Sequence, residues 1–230
     1  MGGLDFMSDF TENPATPEQI MRIRTRLPSF IGEKRLNHTF FVEKEVIALA
    51  ESLEMVYNIT DAQKNDLRAA ALVHDITKEQ PLEKQLALCE KYGIDPGSYP
   101  SCAVLHGRTA ACLARELFGT DDLVFSAVDC HTTGKEAMSV FDKILFLADY
   151  IEPSRTHDSC KKVRAFYYES LQKRGQAEAD AILDEACLAC LDDTLSYLLA
   201  KGNIIDLETV KARNSFLAKG TPTKNADAHG

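Results

Sequence analysis

The stretch Leu72-Val73-His74-Asp75-Ile76-Thr77-Lys78 places a histidine and an aspartate side by side at the end of an apolar run. An ionised carboxylate in apolar surroundings is costly unless it pairs with a cation or binds a metal ion. We therefore interpret His74 and Asp75 as metal ligands, around which the rest of the chain is organised.

The composition predicts a globular protein with an acidic surface. The 230 residues are 45% hydrophobic, which is enough to bury a core. Lys and Arg total 26 against 35 Asp and Glu, so the net charge is 26 − 35 = −9. An acidic chain is a poor general binder of nucleic acids and membrane surfaces, and we expect neither as a partner. A polyanionic small molecule would need local positive charge, such as metal ions.

The cysteines and the hydropathy favour the cytoplasm. Seven cysteines are scattered through helical sequence without a secretory signal before them, which is typical of a reducing compartment. No apolar run approaches the roughly 18 residues of a membrane span. Cys187 and Cys190 form a CxxC pair, but it has no partner pair. We interpret both as buried helical residues, not as a zinc or redox site.

Apolar residues recur at helical spacing along most of the chain, without convincing strand alternation or an internal repeat. The sequence therefore predicts an all-α fold in a single domain over residues 16–219, with a flexible leader at 1–15 and a flexible tail at 220–230. Caps and breakers set the helix limits: Thr16 starts the first helix, Ser101 and Gly119 bound another, Asp121 precedes the next, and Pro153 ends a later one. Predicted helices include 16–27, 34–57, 61–76, 137–151, 157–175, 178–201 and 206–218.

Four histidines fall on the buried stripes of four successive helices. A single histidine on an apolar face is more often a satisfied core residue than a ligand, so the coincidence of four carries the weight. A fifth helix contributes an aspartate. The intervals of 36, 32, 25 and 18 residues (74 − 38, 106 − 74, 131 − 106 and 149 − 131) let each helix and turn return to a common centre. The candidate metal ligands are His38, His74, Asp75, His106, His131 and Asp149.

Imidazole and carboxylate ligands suit iron, manganese, cobalt, nickel or zinc, and the lack of cysteine weakens a structural zinc interpretation. Six ligands exceed what one catalytic ion with an open position needs. Two ions bridged by one carboxylate would use all six, could lower the pKa of a bridging water and could clamp both sides of a phosphoryl displacement. The pattern favours hydrolysis of a phosphorus–oxygen bond.

The order of these ligands resembles the HD-domain metal-dependent phosphohydrolases. The sequence around them resembles the YqeK branch of that superfamily from about residue 35 to residue 217. The matching segments are Leu72 to Lys78, Leu105-His106-Gly107, His131-Thr132-Thr133-Gly134, Lys143 to Arg155 and Thr209 to Asn214.

The resemblance implies an HD-domain helical bundle that hydrolyses diadenosine tetraphosphate symmetrically to two ADP molecules. It also implies a binuclear, iron-type centre in which Asp75 bridges the two ions and a bridging hydroxide is the nucleophile. The remaining ligands would divide into His38, His74 and Asp149 on one ion, and His106 and His131 on the other.

Other polar residues near the ligands are candidates for binding and catalysis. Lys78 and Arg155 could reach phosphate oxygens and stabilise charge in the transition state, or could be solvated charges at helix ends. The Thr132–Gly134 loop could donate hydrogen bonds to a nucleotide or form a simple helix C-cap. We predict Lys78, Thr132, Thr133, Gly134 and Arg155 as substrate-binding residues, and Asp75, Lys78 and Arg155 as catalytic residues.

Two other functions remain open at this stage. An HD centre alone would equally support a broader nucleotidase or nucleotide pyrophosphohydrolase. A nucleotide-sensing protein with a vestigial metal site would not need the complete ligand set. The preferred base is undefined, so ADP-like or GDP-like products both fit, and a helical surface could support a homodimer.

Overall fold

The computed structural model describes residues 14–219, and the all-α prediction is confirmed. Within that range the α-helices number eleven, with two short 3-10 turns beside them and no strand. The helices are α1 (Pro17–Arg26), α2 (Glu33–Ser52), α3 (Glu54–Tyr57), α4 (Asp61–Val73), α5 (Leu82–Tyr92), α6 (Cys102–Phe118), α7 (Asp122–Cys130), α8 (Val140–Ile151), α9 (Asp158–Arg174), α10 (Ala179–Lys201) and α11 (Leu207–Lys219).

Local sequence signals explain several helix starts. The Thr16 hydroxyl accepts the backbone N–H of Gln19 at the start of α1, where a proline occupies the first turn. Asp121 caps α7 in the same way. Ser101 holds the predicted cap position of α6, but its side chain makes no capping hydrogen bond.

Two helix boundaries differ from the predictions in ways that matter for the site. The predicted helix 61–76 ends at Val73, and residues 74–79 form turns. Adjacent residues on a helix point about 100° apart, so leaving the helix here lets His74 and Asp75 face one centre. The predicted helix 137–151 begins only at Val140, because Ala137 has a φ of +54°, which lies in the left-handed region.

The core lies where α2, α4, α7 and α8 pack against one another, with α6 against α7. Leu49, Leu72 and Leu145 are among its fully buried side chains. On the far side of α8, α10 packs between α8 and α11. Cys187 and Cys190 are buried on α10 and form no disulfide, as predicted for helical core residues.

The predicted leader and tail lie mostly outside the described residues, at 1–13 and 220–230. Ala15, at the end of the predicted leader, is buried and donates its backbone N–H to the Asp66 carboxylate. The buried carboxylate needs a donor, which ties this end of the leader to α4. Among the described residues, no helix has the length and apolar character needed to cross a membrane.

Candidate metal centre

Five helices bring the six predicted ligands to one place. Five of the six residues are buried, and the sixth, Asp149, has a side chain that is 20% exposed. Their potential ligand atoms fall into three overlapping groups, and within each group the atoms lie within 4.8 Å of one another. The groups are His38, His74 and Asp75; Asp75, His106 and His131; and His74, His131 and Asp149.

Asp75 lies between two pairs of histidines. Its Oδ2 atom is 3.2 Å from Nε2 of His74 and 3.8 Å from Nε2 of His38. Its Oδ1 atom is 3.2 Å from Nε2 of His106 and 3.8 Å from Nε2 of His131. One carboxylate therefore presents one oxygen to each pair of imidazoles, as a carboxylate shared by two ions would.

Asp149 belongs to the side of His38 and His74. Its Oδ1 atom is 2.9 Å from Nε2 of His38 and 3.9 Å from Nε2 of His74. Arg155 donates to the same carboxylate oxygen over 2.6 Å and to the Asp149 carbonyl over 3.0 Å. This side of the centre thus offers two carboxylates and two imidazoles.

The outer ring nitrogen of each of the four predicted ligand histidines is held by an acceptor. Because each Nδ1 atom carries the ring hydrogen and donates it to an acceptor, the lone pair lies on Nε2 and faces the centre. This is the usual arrangement of metal-binding histidines. The Nδ1 partners are the Glu152 carboxylate for His38 at 3.0 Å, and the carbonyls of Ala71 for His74 at 2.6 Å, Cys102 for His106 at 3.1 Å and Val128 for His131 at 2.7 Å.

Several buried atoms at the centre carry lone pairs that a bound cation would satisfy. Among the described residues, Nε2 of His74 and Oδ1 of Asp75 are buried without a hydrogen-bond partner, and Nε2 of His38 faces the Asp149 carboxylate. The Nε2 atoms of His106 and His131 lie 3.0 Å apart. Two lone pairs at that distance repel each other, whereas two nitrogens at right angles on one ion with bonds of about 2.1 Å would be about 3 Å apart. The donor set therefore fits divalent metal ions.

The electrostatics of the buried groups agree with metal binding. Burial alone would raise the pKa of Asp75, but the imidazoles around it, foremost His74, hold that pKa well below its usual range. Burial lowers the pKa of His106 to about 4, which keeps its ring neutral. Burial opposes protonation of His38, but Asp149 and Glu152 outweigh it and raise its pKa to about 9. Metal binding at His38 would therefore release a proton.

The predicted phosphate-binding cations lie beside the ligands. Nζ of Lys78 is 3.1 Å from Nε2 of His106, and burial lowers the pKa of Lys78. Arg155 contacts Asp149, as described above. Positive charge therefore borders the two ends of the ligand cluster, in a chain whose overall charge is −9.

The loop after α7 divides into residues with different surroundings. The Thr132 hydroxyl is 3.1 Å from Nε2 of His106 and 3.2 Å from Nε2 of His131. The Thr133 hydroxyl is buried and donates to the Gly134 carbonyl. Gly134 follows the turn after α7, where its backbone N–H donates to the Cys130 carbonyl over 2.8 Å and its φ is +66°. A Cβ there would lie 2.8 Å from Cβ of Ala212. Of these three residues, Thr132 has the hydroxyl that lies closest to the predicted ligands.

Two residues at the centre were not assigned roles from the sequence. Glu152 is fully buried and holds His38, while its other oxygen accepts the backbone N–H of Ser154 over 2.6 Å. Arg35 donates to Oδ2 of Asp75 over 2.8 Å. Arg35 precedes His38 by three residues, so the spacing that places both on one face of a helix was the available signal.

Comparison with known proteins gives one consistent family. The HD domain model matches residues 35–154. A symmetrical bis(5′-nucleosyl)-tetraphosphatase from Staphylococcus aureus is 30% identical, covering 81% of this chain and 88% of that protein. A protein of the same name from Halalkalibacterium halodurans is 34% identical, covering 81% and 91%.

A solved structure agrees with these sequence relatives. It is a predicted HD superfamily hydrolase involved in NAD metabolism from Clostridium acetobutylicum, and it is 30% identical to this chain. The TM-score is 0.71, with 86% of this chain and 97% of that chain covered. The matched family, the relatives over most of their length and the convergence of histidines and aspartates agree, and the chain belongs to the HD domain family as a YqeK-type phosphohydrolase.

Proposed function

We propose that this protein hydrolyses diadenosine tetraphosphate symmetrically, giving two ADP molecules in a metal-dependent reaction. The observation that carries the proposal is Asp75, whose two carboxylate oxygens face separate pairs of histidines. The names of the Staphylococcus and Halalkalibacterium relatives support the substrate and the position of the cleaved bond.

The donor set suggests how two ions would be held. When bound, they would supply Lewis acidity, a water of lowered pKa and stabilisation of charge on the transferred phosphoryl group. We propose iron as the native metal, although manganese, cobalt, nickel and zinc use the same donor types. His38, His74, Asp75 and Asp149 would hold one ion, and Asp75, His106 and His131 the other.

The reaction adds one water across the central bridging bond of the tetraphosphate. The water oxygen bonds to one β-phosphorus, the bond from that phosphorus to the central bridging oxygen breaks, and the second ADP leaves as an anion. The two protons of the water pass to solvent. No side chain becomes covalently modified, so the protein acts by holding and orienting the reacting groups.

Three cations of the chain are placed to orient the phosphates. Lys78 lies beside His106, Arg35 beside Asp75 and Arg155 beside the carboxylate of α8. Charge-assisted hydrogen bonds from these groups to non-bridging oxygens would strengthen as negative charge develops in the transition state. Thr132 adds a hydroxyl that lies 3.1 Å from Nε2 of His106.

The test is a product analysis with manganese- or iron-loaded protein. Diadenosine tetraphosphate should give ADP alone, separated by ion-exchange chromatography, and rates on mononucleotides should be far lower. ATP together with AMP would contradict symmetrical cleavage, and comparable rates on mononucleotides would favour a broader nucleotidase.

We also propose the cytoplasm as the compartment. None of the seven cysteines, all of which lie in the described part of the chain, forms a disulfide, and five of them are buried. Free thiols are typical of proteins in reducing compartments.

A further inference from the structure

Helix α8 ends in a tight turn, which we call the 152–155 turn after its residues. The Arg155 backbone N–H donates to the Glu152 carbonyl over 3.0 Å, and Pro153 occupies the second position, where its fixed φ favours such a turn. The turn leads the Arg155 side chain back to Asp149, which accepts hydrogen bonds at its carbonyl over 3.0 Å and at its carboxylate over 2.6 Å. The position of this turn therefore determines where the Arg155 guanidinium lies beside the metal centre.

Arg164, on the neighbouring helix α9, holds this turn in place. Its Nε atom donates to the Ile151 carbonyl, and its Nη2 atom donates to the Glu152 carbonyl and, over 3.2 Å, to the Arg155 carbonyl. Carbonyls at the C-terminus of a helix lack partners within the helix, and a positive charge there is favourable. One side chain thus ties the last residue of α8 to both ends of the 152–155 turn.

A second arginine on α9 has a different environment. Arg174 forms salt bridges at the surface with Glu178 over 2.8 Å and with Glu185 over 2.7 Å. Arg164 is partly buried, and the hydrogen bonds that its side chain makes to the described residues all end on main-chain carbonyls. The contrast indicates that Arg164 stabilises the backbone of one particular turn.

We propose that Arg164 is a positioning residue, which holds the 152–155 turn so that the Arg155 guanidinium stays at the metal centre. The proposal rests on the proposed function, in which Arg155 orients the phosphates of the substrate. Arg164 would touch neither the substrate nor a metal ion, because its donors already lie on the three carbonyls. It also lies outside the HD domain match, which ends at residue 154.

The expected effect of losing Arg164 falls on Arg155 and not on the metal ligands. Asp149 belongs to α8 itself, whose helical hydrogen bonds would keep it in place. Arg155 follows the helix, so its position depends on the turn and on the link from the turn to α9. A displacement of about 1 Å in a group that orients a substrate can cost about a hundredfold in rate.

Kinetics and metal binding of the manganese-loaded protein test the proposal. Arg164→Gln should lower kcat for diadenosine tetraphosphate about ten- to hundredfold, because Arg155 is no longer held in line with the phosphates. Manganese affinity, measured by competition with a fluorescent chelator, should stay within about twofold of that of the unmodified protein, since Arg164 contacts no ligand side chain. The matched control is Arg174→Gln on the same helix, which should leave kcat and manganese affinity unchanged.

A double-mutant cycle measures whether Arg164 acts through Arg155. Adding Arg164→Gln to Arg155→Gln should lower kcat by about twofold or less, because the side chain that Arg164 positions is already absent. A residue with a merely structural role would lower kcat by the same factor with and without Arg155.

A second variant covers the case in which Arg164→Gln does not fold. Arg164→Lys keeps the positive charge and one hydrogen bond at the end of α8, but a single ammonium lacks the planar fork that spans several carbonyls. Its kcat should therefore fall at least about threefold, and this loss should also disappear in the Arg155→Gln background.

The outcomes separate this proposal from the proposed function. Unchanged kcat in both Arg164 variants, or equal factors with and without Arg155, would overturn the positioning role. A loss of manganese affinity as large as the loss of kcat would also overturn it, because Arg164 would then act on the ligands. ATP together with AMP as products would overturn the proposed function, while the coupling between Arg155 and Arg164 could still be measured on that reaction.

Discussion

At the scale of single residues, the centre depends on carboxylates with distinct tasks. Asp75 faces both pairs of histidines, whereas Glu152 faces only the outer nitrogen of His38. The first would bind metal directly, and the second would orient a ligand. Substitutions that keep the shape and remove the charge distinguish the two tasks.

Asp75→Asn should abolish most hydrolysis. The amide has the size of the carboxylate but offers only one oxygen, so it cannot serve two ions. We expect activity to fall by at least about a hundredfold and bound metal, measured by mass spectrometry, to fall below that of the unmodified protein. His157→Ala is the control, because that histidine is exposed and outside the cluster. Retention of full activity by Asp75→Asn would contradict the assignment.

Glu152→Gln should weaken metal binding without removing a ligand. Loss of the negative charge lowers the basicity of His38, and substitutions of such outer partners typically reduce metal affinity by about 10–100-fold. Competition with a fluorescent chelator measures the affinity. Glu54→Gln, at an exposed position on α3, is the control. Equal affinities in the two variants would show that Glu152 has no part in orienting His38.

At the scale of helices, α4 and the segments next to it show how local pattern and tertiary contact share control. Helical periodicity correctly predicted that the four histidines are buried, although His74 and His131 directly follow the ends of α4 and α7. It could not predict that α4 ends at Val73, because the turn at 74–79 is stabilised by contacts with other helices, such as the hydrogen bond from the Thr77 hydroxyl to the His106 carbonyl. The Glu152 contact with His38 spans 114 residues and is likewise invisible to local pattern.

The burial of Asp66 on α4, which the hydrogen bond from Ala15 only partly offsets, should make stability depend on pH. Burial raises the pKa of Asp66 from 3.8 to about 7. The folded state therefore keeps a proton that the unfolded chain loses near pH 4, so this group's contribution to stability falls as pH rises from about 4 to 7.

Asp66→Asn removes that dependence while keeping an oxygen for the Ala15 N–H. Relative to the unmodified protein, the variant should gain up to about 1.4 kcal/mol in the free energy of unfolding per pH unit between pH 5 and 7. Urea unfolding at several pH values measures it. A difference between the two proteins that does not change with pH would contradict the expectation.

Gly134→Ala should be more destabilising than the same change at Gly202. Both glycines have positive φ, +66° and +65°. A Cβ at Gly134 would lie 2.8 Å from Ala212 of α11, whereas a Cβ at Gly202 would meet nothing within 4 Å. We expect a loss of about 1 kcal/mol at Gly202 from strain alone and about 2–4 kcal/mol at Gly134. Equal losses, measured by urea unfolding, would mean that α11 moves to accommodate the added methyl group.

At the scale of the whole molecule, the metal centre joins five helices that are distant in sequence. The clustering of four histidines and two aspartates and the all-α class could be predicted, because both follow from residue type and period. The cavity of about 760 Å³ beside Thr132 could not be predicted, because its walls come from segments about 100 residues apart, around Tyr99 and Ile204. Arg35 was missed for a related reason, since its contact with Asp75 depends on the turn after α4.

Metal removal should lower the stability of the entire fold. Ions bound only by the folded chain stabilise it by about 2.7 kcal/mol at a hundredfold excess over Kd. The thermal midpoint should therefore fall with a chelator and rise with added manganese. Asp75→Asn should show a smaller rise, and an identical rise in both proteins would place the binding elsewhere.

The hydrogen bonds behind the histidines set limits on how this centre can change by mutation. His74, His106 and His131 are each held by a main-chain carbonyl three or four residues earlier on the chain. Every amino acid has a main-chain carbonyl, so no substitution removes these three acceptors. The hydrogen bonds that orient the three rings are therefore available in every variant that keeps the backbone in place. Of the four predicted ligand histidines, His38 alone is held by a carboxylate side chain, that of Glu152, so mutations that change metal preference through ligand orientation would act most directly at that pair.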